Sequence, residues 1–515
     1  MLLTEILPRA ASEYPDKLAV VCDAKGFTYR EIAGRVAGLA GAFADLGVRP
    51  GNRIALLHRN CHRMLEVYFA AVHAGAVLVP LNYRLTPRDL AYILNDTESR
   101  LLIADTEWAE LAEEAVRQSN SAARVLWSHA PDSPADDYET RLAAAPQRPL
   151  DDTGCGENDP ANIYYTSGTT GHQKGVVLTH RNIYSHALST IADLKLVDTD
   201  VWAHIAPMFH LADAWATWAL TWVGARHVMA GRFDAPAVLK LIDDERVTIT
   251  NLIPTMLNDL VNSHDATSYR YESLRLVMSG GAPIAPKLVR RVVETFGCEY
   301  VQTYGLTETS PYLTFSFLKE HLHRLSDEEQ FEYRAKTGRA ALGVRLRVVD
   351  ERGEDVPADG RAVGEILAKG DRITPGYWKL PEATAEAFTG GWFRTGDLAT
   401  IDAEGYVNIV DRKKDAILTG GELVYTTEVE NALYEHPAVR EAAVIGIENE
   451  RWGEIVKAFV VLRNDADATE AEIAGHCRAR LAHYKCPRSV EFINALPRTG
   501  SGKIYKKALR EREEH

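Results

Sequence analysis

The sequence predicts an α/β protein built from several domains or subdomains. Three observations carry that prediction: strand and helix patterns alternate through the N-terminal half, strands dominate from Gly343 onwards, and the charged break Asp411-Arg412-Lys413-Lys414-Asp415 is followed by a mixed α+β pattern. A chain of 515 residues also exceeds one ordinary core, and its length implies about two to four domains or subdomains.

In chain order, Phe27-Thr28-Tyr29-Arg30-Glu31-Ile32 leads into a helix over 33–46, whose apolar positions recur at helical spacing and which stops at Gly47. Arg53-Ile54-Ala55-Leu56-Leu57 reads as a buried strand. A helix over 63–74 follows, then strands over 76–80, 101–104 and 125–127 between helical segments. Strands and helices in this order point to parallel sheets with helices on their faces. The Pro- and Asp-rich passage 130–160 breaks the pattern and reads as a crossing between subdomains. Beyond it come a strand over 176–180, a helix from Asn182, and further alternation through 247–252 and 274–283. The polar stretch 317–336 has no clear period and reads as a surface excursion. Strands over 345–349, 364–368 and 406–410 form a smaller β-rich part. After the charged break, 428–436 and 470–482 read as helices, and 442–447 and 458–462 as strands.

Composition bounds the function. Hydrophobic residues make up 46% and charged residues 25%, the proportions of an ordinary globular protein. With 58 basic against 72 acidic residues, the net charge of −14 disfavours nucleic acid or an anionic membrane as the main partner, so any phosphate site must be local. Six cysteines without a CxxC pair suggest neither a zinc site nor a disulfide framework, and a reducing cytoplasm is expected. The start Met1-Leu2-Leu3-Thr4-Glu5 lacks a signal-peptide pattern, and no apolar run approaches the ~20 residues of a membrane span. A soluble protein is expected.

The chemistry begins at Tyr164-Tyr165-Thr166-Ser167-Gly168-Thr169-Thr170-Gly171-His172-Gln173-Lys174-Gly175. Three glycines and four Ser/Thr residues in ten positions leave backbone N–H groups free to surround an anion. The spacing of the nucleotide triphosphatase P-loop fails, because Lys174 is followed by Gly175 and not by Ser or Thr. Alone, this stretch is either a phosphate cradle or a glycine-rich turn. Trp215, Trp218 and Trp222 share one helix face and are either core or pocket wall. His210 is likewise a core histidine or a pocket residue.

Five stretches remove the ambiguity of the loop. Thr166-Ser167-Gly168-Thr169-Thr170-Gly171 with Lys174-Gly175, Tyr304-Gly305-Leu306-Thr307-Glu308, Gly391-Trp392-Phe393-Arg394-Thr395-Gly396-Asp397, Asp411-Arg412-Lys413-Lys414-Asp415, and Pro497-Arg498-Thr499-Gly500-Ser501-Gly502-Lys503 resemble the adenylate-forming enzymes. That superfamily holds acyl-CoA synthetases, peptide-synthetase adenylation domains and beetle luciferases, and the chain is most similar to the first. The motifs run in the family's order over nearly the whole chain.

The resemblance implies a large N-terminal domain over 1–410, made of two β-α subdomains and a β-barrel-like subdomain, a hinge over 411–414 and a small mobile α+β lid over 415–515. It implies attack of a carboxylate on the α-phosphate of ATP, giving acyl-AMP and pyrophosphate, and then capture of the acyl group by CoA. Both reactants are anions, so cations and backbone donors lower the barrier. Residue by residue, Thr166, Ser167, Gly168, Thr169, Thr170 and Lys174 are expected to hold the β- and γ-phosphates. Gly281, Ala282, Pro283 and Tyr304 are expected to enclose adenine. Thr307 is similar to the α-phosphate contact, Glu308 to the Mg²⁺ carboxylate, Asp397 to the ribose ligand and Arg412 to its neighbour. Lys503 matches the catalytic lysine, and Lys414 the hinge. His210, Trp215, Gly280, Gly305 and Thr309 are expected at the acyl pocket, with Trp215 shortening it towards a compact, aromatic acid. The expected cofactors are ATP, Mg²⁺ and CoA, and the protein is expected as a monomer or homodimer.

One stretch departs from the pattern. Where acyl-CoA synthetases carry GGENVYPxEVE, this chain has Leu423 in place of Asn and Thr426 in place of Pro. The departure leaves an amine acceptor open, as in an amide bond synthetase, and loading of a carrier protein after it. A carrier-loading enzyme would need an acid to meet an amino-acid ammonium; Asp213 lies near that region, but its context does not match that acid.

Overall fold

The computed structural model describes residues 2–23, 25–121, 123–128, 138–150, 154–166, 173–463, 466–498 and 504–513. The expected α/β class is observed. Among the described residues, one compact unit takes in residues up to 166, 173–345 and 368–393, and a second takes in 346–367 and 394–513.

The first unit contains two sheets. In the seven-stranded sheet, Val77–Pro80, Arg53–Leu57, Leu101–Asp105 and Arg124–Ser128 are parallel neighbours in that order. The hairpin Pro160–Thr166 and Lys174–Thr179 extends it, and Gly376–Tyr377 closes that edge. In the nine-stranded sheet, Glu299–Gly305, Leu276–Ser279, Ile249–Leu252, Val201–His204, Arg226–Met229 and Leu18–Cys22 run parallel, with antiparallel strands at both ends. Strands such as Val77–Pro80 and Leu276–Ser279 are buried at every position, as parallel strands covered on both faces must be.

The predicted strands lie within a few residues of the observed ones. The first long helix, Tyr29–Asp45, starts four residues before the predicted 33, because Thr28 and Glu31 form a reciprocal capping box. The same motif overturns the reading of 317–336 as a patternless excursion. Ser326 accepts from the Glu329 N–H, Glu329 caps back, and the helix Asp327–Ala335 follows. The passage 130–160 also holds a helix, Tyr138–Ala144, where no element was expected. It is tied to the first long helices by Glu139, which pairs with Arg35 at 2.9 Å and Arg63 at 2.8 Å, and by the Tyr138 phenol, which donates to Glu66 at 2.6 Å.

In the second unit, Arg345–Val349, Gly364–Lys369 and Trp392–Ile401 are successive sheet neighbours, and Val407–Arg412 joins Trp392–Ile401 as an antiparallel partner. A further five-stranded sheet is built on the long hairpin Val439–Asn449 and Gly453–Leu462, with Ile417–Thr419, Glu422–Val424 and Ser489–Phe492. The helices Thr426–Tyr434 and Glu470–Arg478 bury Val429, Leu433, Ile473 and Cys477 in one core with strand residues such as Val444 and Val460. All six cysteines are free thiols. Among the described residues, no helix is long and apolar enough to cross a membrane.

Candidate active site

In the hairpin of the seven-stranded sheet, Thr166 stands opposite Lys174. The Thr166 hydroxyl donates to the Lys174 carbonyl at 3.5 Å, so both ends of the expected phosphate loop leave the sheet from one register position. Ser167, Gly168, Thr169 and Thr170 lie outside the described residues.

On the other side of the Lys174 strand, Tyr377 is the register partner of Val176 and the Trp378 N–H donates to the Gly175 carbonyl at 2.7 Å. That pairing carries the phenol to the site. Lys174 Nζ lies 5.0 Å from the centre of the Tyr377 ring, a cation over a π face. The Tyr377 O–H donates to Glu308 Oε1 at 2.9 Å. Burial, reinforced by the Glu308 carboxylate, raises the phenol pKa far above its ordinary value, so the phenol keeps its proton and its role as donor. Glu308 sits in the turn Thr307–Thr309, is 9% exposed, and has its backbone carbonyl pinned by the Thr374 N–H at 2.8 Å. Sequence reasoning missed Tyr377. It lies 69 residues from Glu308, and no local spacing signals that pairing.

The strands Leu276–Ser279 and Glu299–Gly305 pair in parallel, with Ser279 opposite Gln302. Beyond their carboxyl ends lie Gly280 to Pro283 and Leu306 to Glu308, the place where open α/β sheets receive ligands. Gln302 Nε2 donates to the Ala282 carbonyl at 2.9 Å and ties the first segment to the second strand. Gly281, Ala282 and Pro283 are exposed, while Tyr304 and Thr307 are half-buried. Two glycines are fixed by space. A Cβ on Gly305 would stand 1.8 Å from the Pro311 carbonyl oxygen, and one on Gly280 would stand 2.4 Å from Thr303 Oγ1. The Thr309 hydroxyl is spent on the Leu306 and Pro311 carbonyls, so this residue shapes the turn that carries Glu308.

His210 precedes the helix Leu211–Trp222 and is half-buried, its ring 4.4 Å from that of Phe209, which in turn meets Tyr83 at 4.9 Å. Trp215 is 1% exposed and packs edge-on against Trp202 and Tyr312, its indole N–H donating to the Tyr312 oxygen at 2.9 Å. Trp218 is equally buried. Asp213 is fully engaged. It receives the Trp202 indole N–H at 3.3 Å and contacts His204 Nδ1 at 2.6 Å, and His204 Nε2 continues to His227 at 2.9 Å. With both oxygens occupied and no exposure, Asp213 has nothing to offer a substrate ammonium.

In the second unit, register pairing places Asp397 opposite Arg412, and their charged groups meet at 3.4 Å. The neighbouring Glu365 holds Arg394 and Lys413, the latter at 3.3 Å. Lys414 follows the end of this strand and is exposed. Lys503 lies outside the described residues.

The pattern of the "AMP-binding enzyme" family matches residues 7–378, and that of the "AMP-binding enzyme C-terminal domain" matches 428–503. A long-chain-fatty-acid–CoA ligase of Thermus thermophilus is 41% identical over 524 residues, covering 99% of this chain and 95% of that one. A feruloyl-CoA synthase of Amycolatopsis is 38% identical over 505 residues, covering 98% and 97%. Among solved structures, ATP-bound MatB from Rhodopseudomonas palustris matches with a TM-score of 0.88 at 31% identity, covering 100% of this chain and 99% of that one. The chain therefore belongs to the AMP-binding enzyme family and, within it, to the AMP-forming acid–CoA ligases, which activate a carboxylic acid with ATP and pass the acyl group to CoA.

Proposed function

We propose that Lys174, Tyr377 and Glu308 form the triphosphate end of the adenylation site, and that the acid activated is compact and aromatic. The observation that supports the first reading is the line of cation, phenol and carboxylate at 5.0 and 2.9 Å beside the end of the phosphate-loop hairpin. Glu308 suits Mg²⁺. It offers hard oxygen from a turn whose backbone is pinned by the Thr374 N–H, and Mg²⁺ is an ion that takes one or two carboxylates and completes its shell from phosphates and water. Bound there, the ion would neutralise charge on the phosphates.

The chain's own residues supply the rest. Thr166, Ser167, Gly168, Thr169, Thr170 and Lys174 hold the β- and γ-phosphates, Thr307 the α-phosphate, and Gly281, Ala282, Pro283 and Tyr304 the adenine. Asp397 accepts the ribose hydroxyls and Arg412 steadies its carboxylate. Lys503 bridges the substrate carboxylate and the α-phosphate where the new bond forms. Lys414 is the pivot about which the lid, residues 415–515, turns between adenylation and thioester formation, with 1–410 as the body. Gly280, Gly305, Thr309, His210 and Trp215 shape the acyl side. The aromatic packing of Phe209, Tyr83 and His210 supports a flat acid. Free thiols at all six cysteines support a reducing cytoplasm as its location.

One incubation tests this reading: ATP and Mg²⁺ with benzoate, cinnamate and short to long fatty acids, with CoA, an amine or no acceptor, followed by mass spectrometry. Acyl-CoA from the aromatic acids is expected. A long-chain optimum refutes the compact pocket, and amide product in preference to thioester refutes CoA as the acceptor. Lys503→Ala should cut pyrophosphate release by about 10²- to 10³-fold with unchanged melting, and near-normal release sinks its assignment.

A further inference from the structure

Thr426 opens the helix Thr426–Tyr434, so its N–H is one of the donors that a helix leaves without an intrahelical partner. Proline, which the resembling stretch of acyl-CoA synthetases has here, suits that position because it has no N–H to leave idle. In this chain the donor is used. The Thr426 N–H and hydroxyl both donate to Asp411, the hydroxyl at 3.1 Å. Lys506 Nζ then donates to Thr426 Oγ1 at 2.6 Å and pairs with Glu430 at 2.8 Å. Burial pushes the Asp411 carboxyl pKa up, and Lys506 and the Thr426 N–H work against that push. Asp411 and Thr426 are buried, whereas Arg412, Lys413 and Lys414 are exposed. The carboxylate therefore precedes the exposed segment 412–414 in the chain, and its Thr426 donors follow that segment.

We propose that Thr426 is a positioning residue for the two half-reactions: with Lys506 it latches the lid to Asp411 across the hinge and sets the share of enzyme that holds this arrangement. The inference rests on the reading of Lys414 as the pivot. A turn about Lys414 separates Thr426 from Asp411 and strips a buried carboxylate of both Thr426 donors, leaving it the Arg412 N–H at 2.7 Å. Hydrogen bonds to a charged group are the stronger kind, so losing one shifts the equilibrium by about tenfold or more.

The test compares wild type with Thr426→Ser, Thr426→Val and Lys506→Met. Pyrophosphate release with acid and ATP alone reads adenylation, and acyl transfer from preformed acyl-AMP to CoA reads the second half-reaction. Limited tryptic cleavage after Arg412, Lys413 and Lys414 reads the segment without either reaction. Thr426→Val and Lys506→Met should shift the ratio of the two rates about tenfold in the same sense and speed cleavage, while Thr426→Ser keeps the wild-type ratio. A parallel fall in both half-reactions, or an unmoved ratio and cleavage rate, overturns the latch. Should Thr426→Val fail to fold, Lys506→Met decides alone. Lys414→Pro in the same assays keeps the two readings apart. A split from Lys414→Pro with none from Thr426→Val sinks the latch alone, and no split from Lys414→Pro removes the hinge and the latch with it.

Discussion

Asp213 and Glu308 are two buried carboxylates of the same unit with opposite fates. Asp213, at 0% exposure, spends both oxygens on Trp202 and His204, and the chain of contacts runs on through His227 to Thr221 at 3.0 Å. Glu308, at 9% exposure, sits on a turn beyond the carboxyl ends of parallel strands, with the Tyr377 phenol on one oxygen and Lys174 over the face of that phenol ring. Acid type and burial are nearly alike. What distinguishes the two is where the fold puts them: Asp213 inside a closed chain of buried donors, Glu308 at the mouth of a sheet, where open α/β sheets receive ligands.

The contrast can be broken in four places. Asp213→Ala should be the most damaging to stability, about 3–5 kcal/mol, because it leaves His204 and the Trp202 indole buried without their acceptor. Chemical denaturation measures it, and KM for ATP in the folded fraction should not move. A loss of ATP affinity with intact stability would give Asp213 a role in the site. Glu308→Gln should lower adenylation by about 10²-fold with little change in melting, read by pyrophosphate release across a Mg²⁺ titration. An unchanged Mg²⁺ dependence would take the ion away from this residue. Tyr377→Phe keeps the ring under Lys174 but removes the donor to Glu308, and about a tenfold rise in the Mg²⁺ needed for half-maximal rate is expected. If activity and Mg²⁺ dependence both stay at wild-type level, the phenol is only packing.

The smallest effect comes from a third carboxylate, Glu139, whose side chain is 39% exposed. Burial pushes its pKa up, but Arg35 and Arg63 outweigh that and hold it at about 2. A depressed carboxyl pKa adds stability above the ordinary 4.5 and loses it as pH falls towards 2. Solvent screening limits this to less than about 1 kcal/mol. Glu139→Gln should remove that part of the acid-induced loss, and an unaltered acid unfolding curve would show that the pair contributes nothing.

Most strands were legible because parallel strands covered on both faces are continuous apolar runs, as in Arg53–Leu57 and Leu276–Ser279. Helix starts were less so. Thr28 with Glu31 and Ser326 with Glu329 are capping boxes visible in the sequence, and attention to that spacing would have given the start of Tyr29–Asp45 and the existence of Asp327–Ala335. The motifs named the phosphate-loop residues and Glu308, of which Thr166, Lys174 and Glu308 are among the described residues. Tyr377 and the Asp411–Thr426 contact were not legible, because neither pairing follows from a local spacing: the first spans 69 residues through sheet register, the second 15 through a helix start. The engagement of Asp213 was also hidden, since its partner His204 sits on a strand whose own pattern only says buried.

The two crowded glycines set terms for anyone who would redesign the enzyme. At Gly305 the obstacle is a backbone carbonyl, which no neighbouring substitution can shorten, so that position is closed to any larger residue. At Gly280 the nearest obstacle is the Thr303 hydroxyl, and the Thr303 carbonyl stands behind it at 3.0 Å, so even a paired change gains little room. If His210 borders the acyl pocket as proposed, acid preference is better retuned there, where its ring meets the Phe209 side chain and a library can trade one shape for another.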